Sequence, residues 1–210
     1  MARELLEKVL AAHGGLARWS CFATAQATIV TGGQLFGLKG TPQDPTPRRM
    51  TVATQREWAS VFPYGADDQR TDFTPNRIAI EKLDGTVVKE RLHPSEHAEG
   101  KAADARWDVL DRAYFNGYAL WTYLTTPFHF AMPGFAVEEI EPWREDDELW
   151  RGLRARYPPT FAPAQYVFDS VTVQGITLPI KRRAYIRDER LLPIYDRLMA
   201  SIDLSDISFS

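Results

Sequence analysis

The chain holds few residues that could do chemistry: four histidines, one cysteine and several groups of arginine. His93 and His97 are four apart, with Glu90 and Glu96 beside them. On a helix, that spacing turns two imidazoles to one side and can hold a metal. Pro94 lies between them in a polar stretch with no obvious third ligand, so a solvated loop is the better reading and no metal is expected. His129 sits in the apolar run Pro127–Phe130. A polar ring there could orient a ligand or act as a general base, which makes it a weak catalytic candidate beside the commoner outcome of a satisfied buried histidine. His13 reads as part of a helix end. Cys21 has no base partner in sight and reads as a buried thiol.

Other patterns exclude more than they suggest. Gly32–Gly40, GGQLFGLKG, lacks the Gly-Lys-Ser/Thr ending of a phosphate-binding loop and reads as lying between strands rather than opening a helix. There is no nucleophile elbow and no dinucleotide fingerprint, so no cofactor is implied. Arg151, Arg154 and Arg156 alternate with apolar residues opposite the acidic stretch Glu138–Glu148, and Lys181, Arg182 and Arg183 add charge on a possible adjacent strand. Cross-strand pairing on a solvated face is the plain reading; a basic rim receiving an acidic headgroup is the sharper one. Arg48, Arg49, Arg56 and Glu57 could act similarly at another strand pair.

These residues must be carried by strands around one helix. The stretch Asp104–Phe130 holds Trp107, Leu110, Tyr114, Tyr118, Trp121 and Leu124 at steps of three and four, with Phe115, Ala119 and Tyr123 as a second stripe. That periodicity predicts a helix whose C-terminal half is apolar nearly all round and deeply buried, with Asp104 as N-cap and Thr125-Thr126-Pro127 as stop. Residues 2–12 predict an amphipathic helix closed by His13-Gly14-Gly15, and Leu16–Trp19 one further turn. Strands are expected at Ala23–Val30, Gln34–Lys39 across a Gly32-Gly33 turn, Arg48–Gln55, Glu57–Tyr64, Gln69–Phe73, Arg77–Lys82, Thr86–Leu92, Val137–Arg144, Leu149–Tyr157, Tyr166–Val173, Ile176–Ile186 and Met199–Phe209. Thr41–Pro47 and His93–Ala103 read as loops. About ten short strands separated by turn signals have the rhythm of a sandwich or barrel. One domain spanning 1–210 is expected, mainly β with helices.

With 44% hydrophobic residues and a net charge of −3, the composition suits an ordinary globular protein and gives no reason to expect a nucleic-acid partner. No stretch approaches the roughly 18 apolar residues of a membrane span, and MARELLEKVLAAHGG lacks the continuous apolar core of a secretion signal, so a cytoplasmic location is expected. A single cysteine excludes an internal disulfide framework.

Several stretches resemble a known group. His13–Trp19 after a short helix, Ala113–Trp121 through Phe128, Gly175–Arg183 (GITLPIKRR) and Ser201–Ile207 are similar to bacterial lipoprotein-carrier-like (LolA-like) half-barrel proteins, specifically an uncharacterised branch without a secretion signal. The resemblance implies a curled antiparallel half-barrel sheet, open on one side, with the N-terminal helix and the central aromatic helix on its concave face. It also implies a cavity for a hydrophobic small molecule or lipid. The region 157–166 is short against that pattern, as though a hairpin were missing. The same fold also serves a cofactor-free protein of pigment biosynthesis, so fold does not select between carrier and enzyme.

The first expectation is therefore a cytoplasmic protein that binds a hydrophobic small molecule or lipid between sheet and helix, against Trp58, Phe62, Trp107, Tyr114, Tyr118, Trp121 and Phe128. The second is a cofactor-free enzyme of small-molecule biosynthesis using the same cavity, with help from His129, Tyr114 or an arginine. The third is a structural or partner-binding protein whose cavity is filled. Membrane insertion is not expected, and oligomeric state stays open.

Overall fold

The computed structural model describes residues 2–42, 44–99, 102, 104–145, 147–156, 166–187 and 193–210. Nine antiparallel strands form the main sheet: β1 (Thr24–Gly32), β2 (Arg48–Ala53), β3 (Ala59–Phe62), β4 (Gln69–Thr74), β5 (Arg77–Lys82), β6 (Val87–Leu92), β9 (Tyr166–Val173), β10 (Ile176–Arg187) and β11 (Pro193–Phe209). Their order is β6-β5-β4-β3-β2-β1-β11-β10-β9. The sheet is a run of neighbouring strands broken once, where β11 returns to pair with β1. It is not closed into a barrel.

Alternation along the strands makes one face apolar. Ala25, Ala27 and Ile29 of β1, Met50 and Val52 of β2, Phe73 of β4, Ile78 and Ile80 of β5, Ile176 and Leu178 of β10 and Ile202 and Leu204 of β11 are all buried. Arg77 of the same sheet instead joins Asp72, Glu81 and Glu90 in an ion-pair network at 2.5–2.9 Å. A half-buried network of this kind supports cross-strand register more than stability.

The apolar face is covered by α5 (Val109–Thr125), which packs across β2–β6. Thirteen of its residues are buried, including Leu110, Ala113, Tyr114, Leu120, Trp121 and Leu124. The helix starts at Asp108, not Asp104. The Asp108 carboxylate accepts from the N–H groups of Leu110 and Asp111, while Asp111 accepts from the Asp108 N–H at 2.8 Å. Trp107 is already tied to Lys39 O at 2.8 Å, which holds the preceding chain outside the helix and moves the cap four residues on. Thr126 ends the helix before Pro127, as expected.

The other expectations hold in part. The predicted partner strand Gln34–Lys39 is instead the short helix α3 (Leu35–Leu38). Gly33 takes φ 101°, turning the chain so that Phe36 buries edge-on against Trp107 and Phe115. The Gly32–Gly40 stretch therefore does open a helix, though one of only four residues. His93–Ala103 is not all loop, because α4 (Pro94–Glu99) occupies part of it; Pro94 takes the first helical position, where its missing N–H costs nothing. β7 (Ala136–Glu145) and β8 (Glu148–Arg156) pair as predicted but form a separate two-stranded sheet, against which α1 (Ala2–Ala12) packs. The end of α1 meets the β9–β10 turn, where Thr177 N donates to His13 O at 3.0 Å. The turn Leu16–Trp19 is present as α2. The shortened region 157–166 falls, except for Tyr166, outside the described residues.

Helix and sheet approach closely at Gly117. A Cβ there would overlap the Phe73 ring, so glycine sets the depth at which α5 seats. Gly117→Ala should lower stability by about 1 kcal/mol or more, the clash outweighing the ~1 kcal/mol helical advantage of alanine. Urea unfolding checks this; an unchanged or raised midpoint would contradict the close seating.

Candidate functional site

The seam between α5 and the sheet gathers most of the residues named above. Trp121 is fully buried, and its indole N–H donates to Ala53 O at 3.0 Å and Arg56 O at 2.9 Å. One donor thus holds both arms of the β2–β3 connection. Phe128 stacks on Trp19 at 4.3 Å with the rings nearly parallel. Tyr114 lies on Phe73 and next to Tyr118, and Tyr118 meets Phe115, which meets Trp107. Trp58 and Phe62 are not brought to this seam. Ala59 and Val61 of β3 point at α5, so alternation turns Phe62 to the other face. Trp58 donates to Asp72 at 2.8 Å within the ion-pair network around Arg77, and Arg56 lies over its ring.

At the N-terminal half of α5 the seam turns cationic, a feature that residue types alone did not reveal. Arg48 and Arg49 are adjacent, and alternation sends Arg48 inward beside Met50 while Arg49 stays exposed. Arg48 retains 5% exposure and Arg112, on α5, 8%. Arg48 donates to Thr31 Oγ1 at 3.4 Å, and its nearest ion-pair contact is Asp44 at 4.0 Å. Arg112 donates to Pro42 O at 2.6 Å and lies 4.4 Å over the Phe36 ring. Burial lowers the Arg48 pKa; Asp44 opposes this and Arg112 adds to it. Tyr64 donates to Val109 O at 3.0 Å, and burial pushes its pKa up to about 12 against the pull of Arg112 and Arg48.

At the other half of α5, Arg182 of β10 is 2% exposed. It donates to Pro179 O at 2.8 Å and to Tyr123 O, with the Tyr123 ring 4.8 Å from its guanidinium. Burial lowers its pKa to about 10. Here the surface folds into a recess of about 160 Å³, open solvent included, lined by Tyr123, Arg182, Arg183, Ala184, Ala200 and Ile202 and too narrow for a water-sized body. Lys181 and Arg183 are not part of one basic patch with Arg182. Their charges are answered by Asp169 at 2.6 Å and Asp203 at 2.8 Å. Arg151, Arg154 and Arg156 pair with Glu139 and Glu138 within the separate β7–β8 sheet, so the two basic groups are not on adjacent strands.

His129 is 1% exposed, and burial lowers its pKa to about 4. Thr125 donates its hydroxyl to Trp121 O at 2.8 Å, which leaves Thr125 Oγ1 as acceptor for His129 Nδ1–H at 3.1 Å. That bond suits a ring protonated at Nδ1, burial keeps the ring neutral, and so weak a base, sealed from water, is poorly suited to proton abstraction near neutrality. His93 sits in a turn with φ 50°, while His97 faces α5, where its ring and the carboxylates of Asp108 and Asp111 lie within 4.8 Å of one another. Arg91 already supplies the countercharge there, at 2.5 Å from Asp108 and 2.9 Å from Asp111. Cys21 is exposed rather than buried, since Trp19 and Phe22 take the inward positions of that turn. His13 closes α1, bonding Val9 O at 2.8 Å. Glu57 follows Arg56 in the connection that Trp121 holds, and burial raises its pKa to about 7.

Comparison with known protein families finds no matching family model, and comparison with curated proteins finds no match.

The pH dependence of stability should carry two opposed contributions. The fold keeps Glu57 protonated to about pH 7, whereas the unfolded chain releases that proton near 4.5. Its contribution is full below 4.5 and lost as the pH rises to about 7. His129 binds its proton near 4 in the fold and 6.5 otherwise, so its contribution is full above 6.5 and lost as the pH falls toward 4. Glu57→Gln should therefore gain Tm relative to wild type as the pH rises from 4.5 to 7. A Tm difference that stays flat across that range would contradict the burial of Glu57.

Proposed function

We propose that the protein is a binder of a hydrophobic small molecule or lipid, held on the concave face beside α5. The observation that supports this is the uneven cover of that face. α5 packs across β2–β6, while toward β10 and β11 the cover thins to the narrow recess under Tyr123, between Ala184, Ala200 and Ile202, which is closed to a water-sized body and must widen to admit a ligand. A curled sheet has an apolar concave face that must be filled, and an apolar molecule entering at this edge would continue the packing that α5 begins. Tyr118 and Tyr123 are half-buried beside that core and are the residues placed to move when a ligand enters. Trp121 and Phe128, locked by hydrogen bonds and stacking, serve as the wall. Trp58 and Phe62 take no part in this reading.

The resemblance to lipoprotein-carrier-like half-barrels belongs to the same reading, since it rests on the central helix and on the β10 and β11 segments that frame the recess. A binding role fits these residues better than catalysis by His129, whose ring is neutral, sealed and hydrogen-bonded to Thr125.

The test uses a neutral apolar fluorophore, N-phenyl-1-naphthylamine, so that charge plays no part. The protein should bind it saturably at one site, and a long-chain alcohol should displace it. Ala184→Trp, which fills the recess, should weaken binding at least tenfold while leaving the fold intact by circular dichroism. Absence of saturable binding, or equal binding by Ala184→Trp, would contradict the proposal.

A further inference from the structure

At the N-terminal half of α5 the structure carries buried donors without acceptors. Arg48 Nε, Arg112 Nε, Arg112 Nη2 and Asn116 Nδ2 are enclosed and hydrogen-bond to nothing among the described residues. All three side chains are more than nine-tenths buried. Arg48 and Arg112 lie near enough for the charge of Arg112 to lower the Arg48 pKa. Arg112 and Asn116 are four apart on α5 and so lie on the same side of the helix. Arg48 projects from β2, a strand against which α5 packs. Pro42, which accepts from Arg112, and Asp44, which faces Arg48, are two residues apart in the same loop. Thr31 links the group, donating to Asp44 O at 3.3 Å and accepting from Arg48.

The charge of this group does not balance. Among the described residues two guanidiniums face one carboxylate, which lies at the outer limit of an ion pair from Arg48 and is 43% exposed. Buried polar groups are as a rule hydrogen-bonded, and buried cations paired. The unused donors are one planar guanidinium edge, on Arg112, the Nε of a second guanidinium and a carboxamide N–H, a set that can receive a planar or tetrahedral oxyanion. A divalent cation or a neutral alcohol would leave the excess positive charge unanswered.

We propose that Arg48, Arg112 and Asn116 form a binding site for an oxyanion, a carboxylate or phosphate, at the seam between α5 and β2. Arg112 offers Nε and Nη2 as a fork, Arg48 adds Nε, and Asn116 adds Nδ2. Asp44, exposed at the edge of the site, is the group the anion displaces electrostatically. The site stands apart from the apolar recess: Arg112 and Tyr123 are eleven residues apart on α5, about 16 Å along its axis. The oxyanion comes either free, as phosphate, or as the head of an amphipathic carboxylate whose chain follows the seam.

Two probes separate these sources: inorganic phosphate and hexanoate, each titrated calorimetrically at low chloride into wild type, Arg112→Met, Arg112→Lys and Ala184→Trp. Wild type should bind at least one probe stoichiometrically. Arg112→Met should lose at least tenfold in affinity, and Arg112→Lys, which keeps the charge without the fork, should fall between. If Arg112→Met does not fold, Arg112→Lys with Asn116→Leu makes the same comparison. Binding of phosphate identifies a free oxyanion, and binding of hexanoate alone an amphipathic one. Ala184→Trp should bind phosphate or hexanoate as wild type does, so failure of the apolar recess leaves this result standing. Absence of binding by wild type at millimolar probe, or undiminished binding by the Arg112 and Asn116 variants, would overturn the proposal.

Discussion

The bifurcated hydrogen bond from Trp121 is the interaction on which the rest depends. A buried indole N–H must find an acceptor, and here it finds two, Ala53 O and Arg56 O, one on each arm of the β2–β3 connection. That fixes the rotation of α5 about its axis. With the rotation fixed, Gly117 meets Phe73, Tyr114 lies over the same ring, and Arg112 reaches Pro42 O with Asn116 on the same side of the helix. The apolar seating and the cationic group are consequences of one helix orientation. An apolar core by itself would tolerate several rotations, because contact with a greasy sheet is not directional. A polar atom that must be satisfied is directional, which is why a single tryptophan selects among them.

The same orientation explains the division of the seam into three parts. The middle is dry and closely packed, with Trp121, Leu124 and Ile78 fully enclosed. One end is cationic and short of acceptors. The other thins to a narrow recess toward β10 and β11 beneath Tyr123. A carrier of an amphipathic molecule needs such a gradient from apolar to charged, and the two ends of α5 supply it without any conventional catalytic constellation among the described residues.

Much of the fold was legible in the sequence because it rests on periodicity. The strands from Arg48 to Leu92 and from Tyr166 to Phe209 follow alternation and turn residues, and α5 follows its aromatic steps. What was not legible depends on contacts distant in sequence. Asp108 displaces Asp104 as N-cap because Lys39 pins Trp107. Gln34–Lys39 folds as a helix because Phe36 finds Trp107 and Phe115 seventy or more residues away. Cys21 is exposed because its neighbours Trp19 and Phe22 compete for the interior. At the candidate site, alternation already separates Arg48 from Arg49 and Arg182 from its neighbours, so the inward arginines could have been found from the strand pattern. The partnership of Arg48 with Arg112 could not, since it requires knowing how α5 is rotated. Trp58 was assigned to the seam because an aromatic residue looks like lining, whereas its N–H is committed to Asp72 on the opposite face.

The central claim is that α5 sits on the sheet with its cationic end directed inward and short of acceptors. The most direct measurement is a crystal structure of the protein grown with hexanoate. The account predicts a carboxylate within hydrogen-bonding distance of Arg112 Nη2 and Arg48 Nε, with the Trp121 indole still bonded to Ala53 and Arg56. A different rotation of α5, or arginines turned out to solvent with hexanoate elsewhere, would contradict it.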